Sequence, residues 1–288
     1  MGLLPKNERR IIDHVEKKTM WIYGPPYSGK TYLANTFPDV LMLNTDGNIK
    51  FVDAPYVSIK DTMEGRVEKQ AWENFKSIID ELAMNNNEFK TIVVDLLEDT
   101  YQYCRQFIFK REGYTHETDG GYGKGWSLVD DEFISTIKRL LGLDYNIILL
   151  SHQVRGDVTK KTGEKISTIE PNLRDKVTLK ISGMVDFTGR FCTEGETRTV
   201  RIESSEVHFG GSRVGFVGQT IPATYEAICG LYDMKKQLNA PRAVETPNVV
   251  ETPAVTTFAS IDGITIEPGL ETPEKPRRKP LKRKDDGE

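Results

Sequence analysis

An α/β fold with a mainly parallel sheet flanked by helices is what this sequence predicts, and three observations carry the prediction. Short unbroken apolar runs at 20–23, 40–43, 92–94 and 147–150 have the length and side chains of strands buried on both faces. Ala71, Trp72, Phe75, Ile78, Ile79 and Leu82 recur at helical spacing, as do Leu128, Phe133, Ile134, Ile137, Leu140 and Leu141. The first run leads into Gly24-Pro25-Pro26-Tyr27-Ser28-Gly29-Lys30-Thr31, which fills every fixed position of the phosphate-binding pattern G-x-x-x-x-G-K-[ST].

That pattern has a chemical reason. A polyphosphate needs many donors converging on a small volume; glycines let backbone N–H groups approach it, and the helix that follows adds its positive end. The candidate contacts to a nucleotide are Gly24, Pro25, Pro26, Tyr27, Ser28, Gly29, Lys30, Thr31 and Tyr32. Lys30 would bridge the β- and γ-phosphates of ATP, and the Thr31 hydroxyl would ligate Mg²⁺.

The 288 residues suffice for one large α/β domain with appendages, while 38% apolar residues is low for a wholly globular chain. A net charge of −4 excludes a uniformly basic nucleic-acid binder but leaves room for local basic patches. Cys104, Cys192 and Cys229 are too few and too scattered for a disulfide framework or a zinc ribbon. No segment approaches the ~20 apolar residues of a membrane span, so a soluble, cytoplasmic protein with no membrane partner is expected.

In chain order, residues 1–18 form a polar lead-in, with Ile11, Ile12 and Val15 along one side of a short helix at 7–18. The strand at 40–44 ends just before Asp46, a candidate to orient or deprotonate an attacking water, or an Asp-Gly turn. A helix is expected at 67–82. The strand Thr91–Asp95 ends in a carboxylate, the arrangement that holds Mg²⁺ through its water shell. Glu98 and Asp99 follow, either as rival water-activating acids or as acids favoured at a helix start. A helix at 100–112 precedes a Gly-, Tyr- and His-rich loop at 113–125. Tyr114, Tyr122, Lys124 and Trp126 interleave rings with positive charge, as a single-strand stacking surface would, although Trp126 suits core packing better.

A helix at 127–142 and a strand at 146–150 lead to Ser151-His152-Gln153, polar groups suited to sensing a γ-phosphate from a strand end. Residues 153–176 read as a long polar segment with Arg155, Lys160, Lys161, Lys165, Arg174 and Lys176, whose charge suits phosphate backbones. Residues 159–164 fit a hairpin turn equally well. From 177 to 204 the pattern alternates like antiparallel strands at a sheet edge, and 222–231 reads as a helix begun by Pro222. Beyond about 235, seven of the fourteen prolines fall among the last residues and Glu-Thr-Pro recurs, so 236–288 reads as a disordered tail. Its end, 275–284, is a basic run.

The order of phosphate loop, Asn44-Thr45-Asp46, Ile92-Val93-Val94-Asp95 and Leu150-Ser151-His152-Gln153-Val154-Arg155 resembles the RecA-like P-loop ATPase core over about 19–235. It is similar in particular to the short RecA-like ATPases of bacteriophages, the AAA-domain proteins of the nucleotide-binding or single-strand annealing type. The resemblance implies a probe of nucleotide state at His152, where cellular relatives have Gln, and a water-activating acid at Asp46, where the usual residue is Glu. The shorter reach of Asp leaves Glu98 as a rival. It also implies DNA-binding loops within 113–125 and 153–176, pointing to Arg155, Lys160, Lys161, Lys165 and Arg174. Self-assembly into rings or filaments on single-stranded DNA is implied too, with a single-strand binding protein as a further partner and the host cytoplasm as the setting. The expected function is DNA-stimulated ATP hydrolysis in recombination, annealing or repair. An ATP-driven helicase or packaging motor, a helicase loader, and a non-hydrolysing scaffold for replication proteins stay open.

Overall fold

The structure, a computed structural model, describes residues 7, 15–116, 118, 119, 121, 123–159, 165–202, 204, 205, 207–214 and 219–233. Most of the lead-in, the tail at 236–288, Tyr122, Lys160 and Lys161 lie outside the described residues.

The chain begins with β1 (Thr19–Gly24), α1 (Lys30–Asn35) and β2 (Val40–Asn44), then β3 (Tyr56–Ser58) and a small hairpin of β4 (Thr62–Glu64) and β5 (Val67–Lys69). Next come α2 (Ala71–Ala83), β6 (Thr91–Asp95), α3 (Leu97–Glu112), α4 (Lys124–Leu141), β7 (Asn146–Thr159) and β8 (Lys165–Pro171). The remainder is α5 (Asp175–Ser182), β9 (Phe187–Glu194), β10 (Thr197–Arg201), β11 (Gly211–Ser212), β12 (Thr220–Pro222) and α6 (Tyr225–Leu231). Among the described residues no helix is long and apolar enough to cross a membrane.

The main sheet runs β12-β10-β9-β1-β7-β6-β2-β3, parallel from β9 to β3, with antiparallel β10 and β12 at one edge. The continuous apolar runs follow from this placement, because strand residues alternate between two cores. Trp21, Leu43, Ile92, Val94, Ile147 and Leu149 face one side, against α2, α3, α4 and α5. Met20, Ile22, Met42, Val93, Ile148 and Leu150 face the other, against α1 and α6. The buried indole N–H of Trp21 donates to Ser151 Oγ at 2.8 Å, so that hydroxyl is bound within the sheet layer.

Several expectations require correction. Residues 67–69 pair as β5, and α2 starts at Ala71, where Asp61 accepts from the Ala71 N–H at 2.7 Å and Glu73 accepts from the Gln70 N–H at 2.9 Å. Of the two readings of this segment, the hairpin fits: β7 continues past the sheet and pairs antiparallel with β8 in an arm, from Gln153 opposite Pro171 to Thr159 opposite Lys165. Residues 175–182 are helical, with Asp175 in the first turn and Lys180 in the last, each complementing the helix dipole. Val177, Thr178 and Ile181 bury one face of that helix, and their β-branching is what imitates a strand. Pro222 closes β12, while the helix after it starts at Tyr225, with Thr224 Oγ1 accepting from the Ala227 N–H at 3.2 Å. The edge expected to be antiparallel is so only from β10 outward, since β9 runs parallel to β1.

Gly24 is where the sheet and the phosphate loop meet most tightly: a Cβ there would lie 2.8 Å from the Phe191 carbonyl oxygen and 3.0 Å from Phe191 Cβ. Backbone cannot yield as a side-chain tip can. Gly24→Ala should therefore destabilise the fold by about 1–3 kcal/mol, read as a lower midpoint in chemical unfolding; an unchanged midpoint would disprove the close approach.

Candidate active site

Parallel strands deliver the candidate groups to one edge of the sheet. Gly24 lies opposite His152, Asp95 opposite Leu150, and Asn44 opposite Asp95. β7 therefore runs between the phosphate-loop strand and the Asp95 strand, whose backbones are two strand spacings, roughly 10 Å, apart. Thr31 bridges that gap from α1, its hydroxyl donating to Asp95 Oδ2 at 2.8 Å.

Within the loop, Tyr27 and Gly29 take left-handed backbone angles, φ 61° and 106°. For Tyr27 this conformation is strained, and it leaves the ring fully exposed; Tyr32, after Thr31, is exposed as well. Pro25 and Ser28 close the loop on itself, Ser28 Oγ donating to the Pro25 carbonyl at 2.9 Å. Lys30 is buried, and its ammonium donates to the carbonyls of Gly24 at 3.1 Å and Pro25 at 2.8 Å. Burial lowers the Lys30 pKa, opposed by Asp95 and Glu98. Asp95 is raised to about 6, chiefly by burial; the Thr31 hydrogen bond and Lys30 offset part of the rise, while Asp46 and Glu98 add to it.

The two rival acids differ in environment. Asp46 is held in its own turn, accepting from Asn44 Nδ2 at 2.9 Å, the Asn48 N–H at 2.9 Å and Asn48 Nδ2 at 2.8 Å. Burial pushes Asp46 up, but these bonds and nearby His152 outweigh it and hold the carboxyl below its ordinary value. Glu98, in the first turn of α3, accepts at Oε1 from the His152 N–H at 2.8 Å and faces His152 Nδ1 at 3.0 Å. Its other oxygen, Oε2, is buried with no hydrogen-bond partner among the described residues. An unpaired buried carboxylate oxygen is costly unless something else approaches it. Asp99 accepts from Thr45 Oγ1 at 3.0 Å, and the same hydroxyl accepts from the Leu96 N–H at 2.8 Å, pinning the chain just after Asp95. Burial raises the Asp99 pKa.

Among the described residues no group of three or more His, Cys, Asp or Glu side chains forms a metal cage. Mg²⁺ does not need one, because it keeps several waters and commonly takes one or two protein oxygens together with phosphate oxygens. The Thr31 hydroxyl and Asp95 carboxylate are hard oxygen donors already side by side, and they fit such an ion.

The residues expected to touch DNA divide. Arg155 is exposed on β7, and Lys165 opens β8. Arg174, by contrast, is half-exposed and already paired within the chain: its Nη1 lies 3.1 and 3.3 Å from the two oxygens of buried Asp130, and its guanidinium stacks 3.9 Å over Trp126. Lys176 Nζ is 3.8 Å from the same carboxylate, and Tyr101 donates to it at 2.8 Å. Arg174 thus serves the base of the arm. Asp130 escaped sequence reasoning because it reads as one acid among several on α4. A cleft of about 420 Å³ separates Glu98 and Asp99 from Asn172, Leu173 and Arg174 at that base.

A family profile described as an AAA domain matches residues 16–214, well over half of the chain, and the chain belongs to that family. No curated protein matches it. Membership brings nucleotide binding and ATPase-type chemistry as the expectation for the strand-end site of Lys30, Thr31 and Asp95.

The raised Asp95 pKa has a sign that can be checked. Folded Asp95 holds its proton more tightly than unfolded Asp95, so its contribution is most favourable near pH 4 and is lost as pH rises through about 6. Asp95→Asn, which keeps an oxygen for Thr31, should stabilise the nucleotide-free protein at pH 8 by about 2–3 kcal/mol. The gain should shrink towards pH 4. A destabilised variant at pH 8 would contradict the assignment.

Proposed function

We propose that this member of the AAA-domain family binds ATP with Mg²⁺, hydrolyses it, and couples nucleotide state to single-stranded DNA, as a phage-type RecA-like protein of recombination, annealing or repair. The observation that carries the hydrolytic part is the convergence of Lys30, Thr31, Asp95, Glu98 and His152 on one sheet edge, with Glu98 Oε2 left unpaired. The DNA part rests on the resemblance of the motif order and on the arm that follows His152.

On this reading Lys30 exchanges its two carbonyl partners for β- and γ-phosphate oxygens, with little net loss of hydrogen bonding. Thr31 and Asp95 hold the metal ion, which when bound neutralises charge on the phosphates. Glu98 Oε2 accepts a proton from water as the water oxygen attacks the γ-phosphorus and the bond to the β–γ bridging oxygen breaks. Asp46 is the weaker base, because both its oxygens are bound and its pKa is lowered. His152 shares Glu98 Oε1 and lies at the root of the arm. Beyond it Gln153 accepts from Arg190 Nε at 3.0 Å, and Arg190 Nη1 lies 2.9 Å from His208 Nε2. That series of contacts supports communication between γ-phosphate and arm.

Two measurements test the reading. Lys30→Ala should abolish tight binding of Mg·ATP in calorimetry, and retained micromolar affinity would refute the phosphate-loop role. In an ATPase assay with and without single-stranded DNA, the wild type should be stimulated. Glu98→Gln should lose about 10²–10⁴-fold in kcat while still binding ATP, and Asp46→Asn should lose far less. The reverse ranking would return the base to Asp46; tight binding with no turnover in the wild type would favour a scaffold.

A further inference from the structure

Arg198, on the β9–β10 hairpin, is absorbed by none of the roles above, and we infer that it is a second cationic contact to the nucleotide's phosphates, supplied by the same chain. The inference rests on the nucleotide-binding reading and adds a residue that the loop motif does not contain.

Its guanidinium lies against the phosphate loop. A Cβ built on Gly29 would be 3.3 Å from Arg198 Nη1, 3.4 Å from Cζ and 3.6 Å from Nε. Three atoms of one plane nearly equidistant from one point mean that the flat face of the group rests on the glycine. Its N–H edges are then free to meet acceptors beside the loop. Among the described residues no side chain or carbonyl accepts a hydrogen bond from Arg198 and no carboxylate pairs with it. Arg190 on the neighbouring strand, by contrast, has Gln153 and His208 as partners. An arginine fork offers five donors matched to phosphate oxygens, so one left without acceptors on a phosphate loop suits that ligand.

The backbone that carries this exposed side chain is held from both sides. Arg198 pairs across the hairpin with Thr193, whose hydroxyl reaches the Ser28 carbonyl at 3.5 Å. One cross-strand pair thus touches two consecutive loop residues. The other side of β10 is held by β12, and the Ala223 N–H donates to the Arg198 carbonyl at 2.9 Å. The electrostatics point the same way. Lys30 shares its site with Asp46, Asp95, Glu98 and Asp99, so a polyanion entering there gains from a second positive group that no carboxylate among the described residues pairs with.

The test is calorimetry of the full chain with Mg·ATP, with adenosine as a phosphate-free control and thermal unfolding without nucleotide as a folding control. Arg198→Gln should weaken Mg·ATP binding by about 10- to 100-fold, leave adenosine binding and the nucleotide-free Tm unchanged, and be partly rescued by Arg198→Lys. A merely structural prop for the loop would lower the Tm and gain nothing from lysine. ATP affinity within about twofold of wild type in Arg198→Gln, while Lys30→Ala loses binding, would overturn the inference and spare the phosphate loop. A wild-type chain that does not bind Mg·ATP would overturn the reading on which it rests.

Discussion

The hydrogen bond from Thr31 to Asp95 is the contact on which the site depends, because it joins two strands that do not touch. β1 delivers the phosphate loop and β6 delivers the acid, with β7 between them. The Thr31 side chain, at the start of α1, spans that interval at 2.8 Å. The bond also partly offsets the cost of keeping a buried carboxylate near Asp46 and Glu98. Such a concentration of acids is unfavourable in an empty cleft and favourable around a cation. The architecture thus stores its unfavourable electrostatics where a ligand would relieve them.

Holding those acids in place falls to the packing on either side of the sheet. Alternate residues of β1, β6 and β7 enter opposite cores, so each strand is gripped from both faces and its end is fixed. Trp21 shows how closely layer and site are built together. It fills one core with its ring and uses its N–H to hold Ser151, the residue immediately before His152.

Much of this was legible in the sequence, for physical reasons. Strands buried on both faces need continuous apolar residues, and a phosphate loop needs glycine, lysine and a hydroxyl at fixed spacing; both kinds of element were found with small errors at their ends. The arm was legible only as the alternative of a hairpin turn at 159–164, because the exposed Arg155 and Asp157 and the nearby lysines mask the half-buried Val154 and Ile166 between them. The helix at 175–182 was obscured by Val177, Thr178 and Ile181, which favour strands locally and were overruled by burial against α4. The ion pair of Arg174 was not legible because its partner, Asp130, is distant in sequence and ordinary in appearance. The contrast between a bound Asp46 and a half-bound Glu98 depends on which donors fold over each carboxylate, and no spacing rule encodes that.

The root of the arm is stitched to the rest of the molecule. The Tyr23 hydroxyl, one residue before the phosphate loop, donates to the carbonyls of Ile169 and Phe209, and the Ile169 N–H donates to the Val207 carbonyl at 2.7 Å. Energy exchanged through such a seam has no preferred direction. If an occupant of the cleft tightens the grip of the arm on its own ligand by some factor, that ligand must tighten the cleft on its occupant by the same factor at equilibrium. Only an irreversible step, the cutting of a phosphoanhydride, can turn that two-way bargain into a cycle with a sense of rotation.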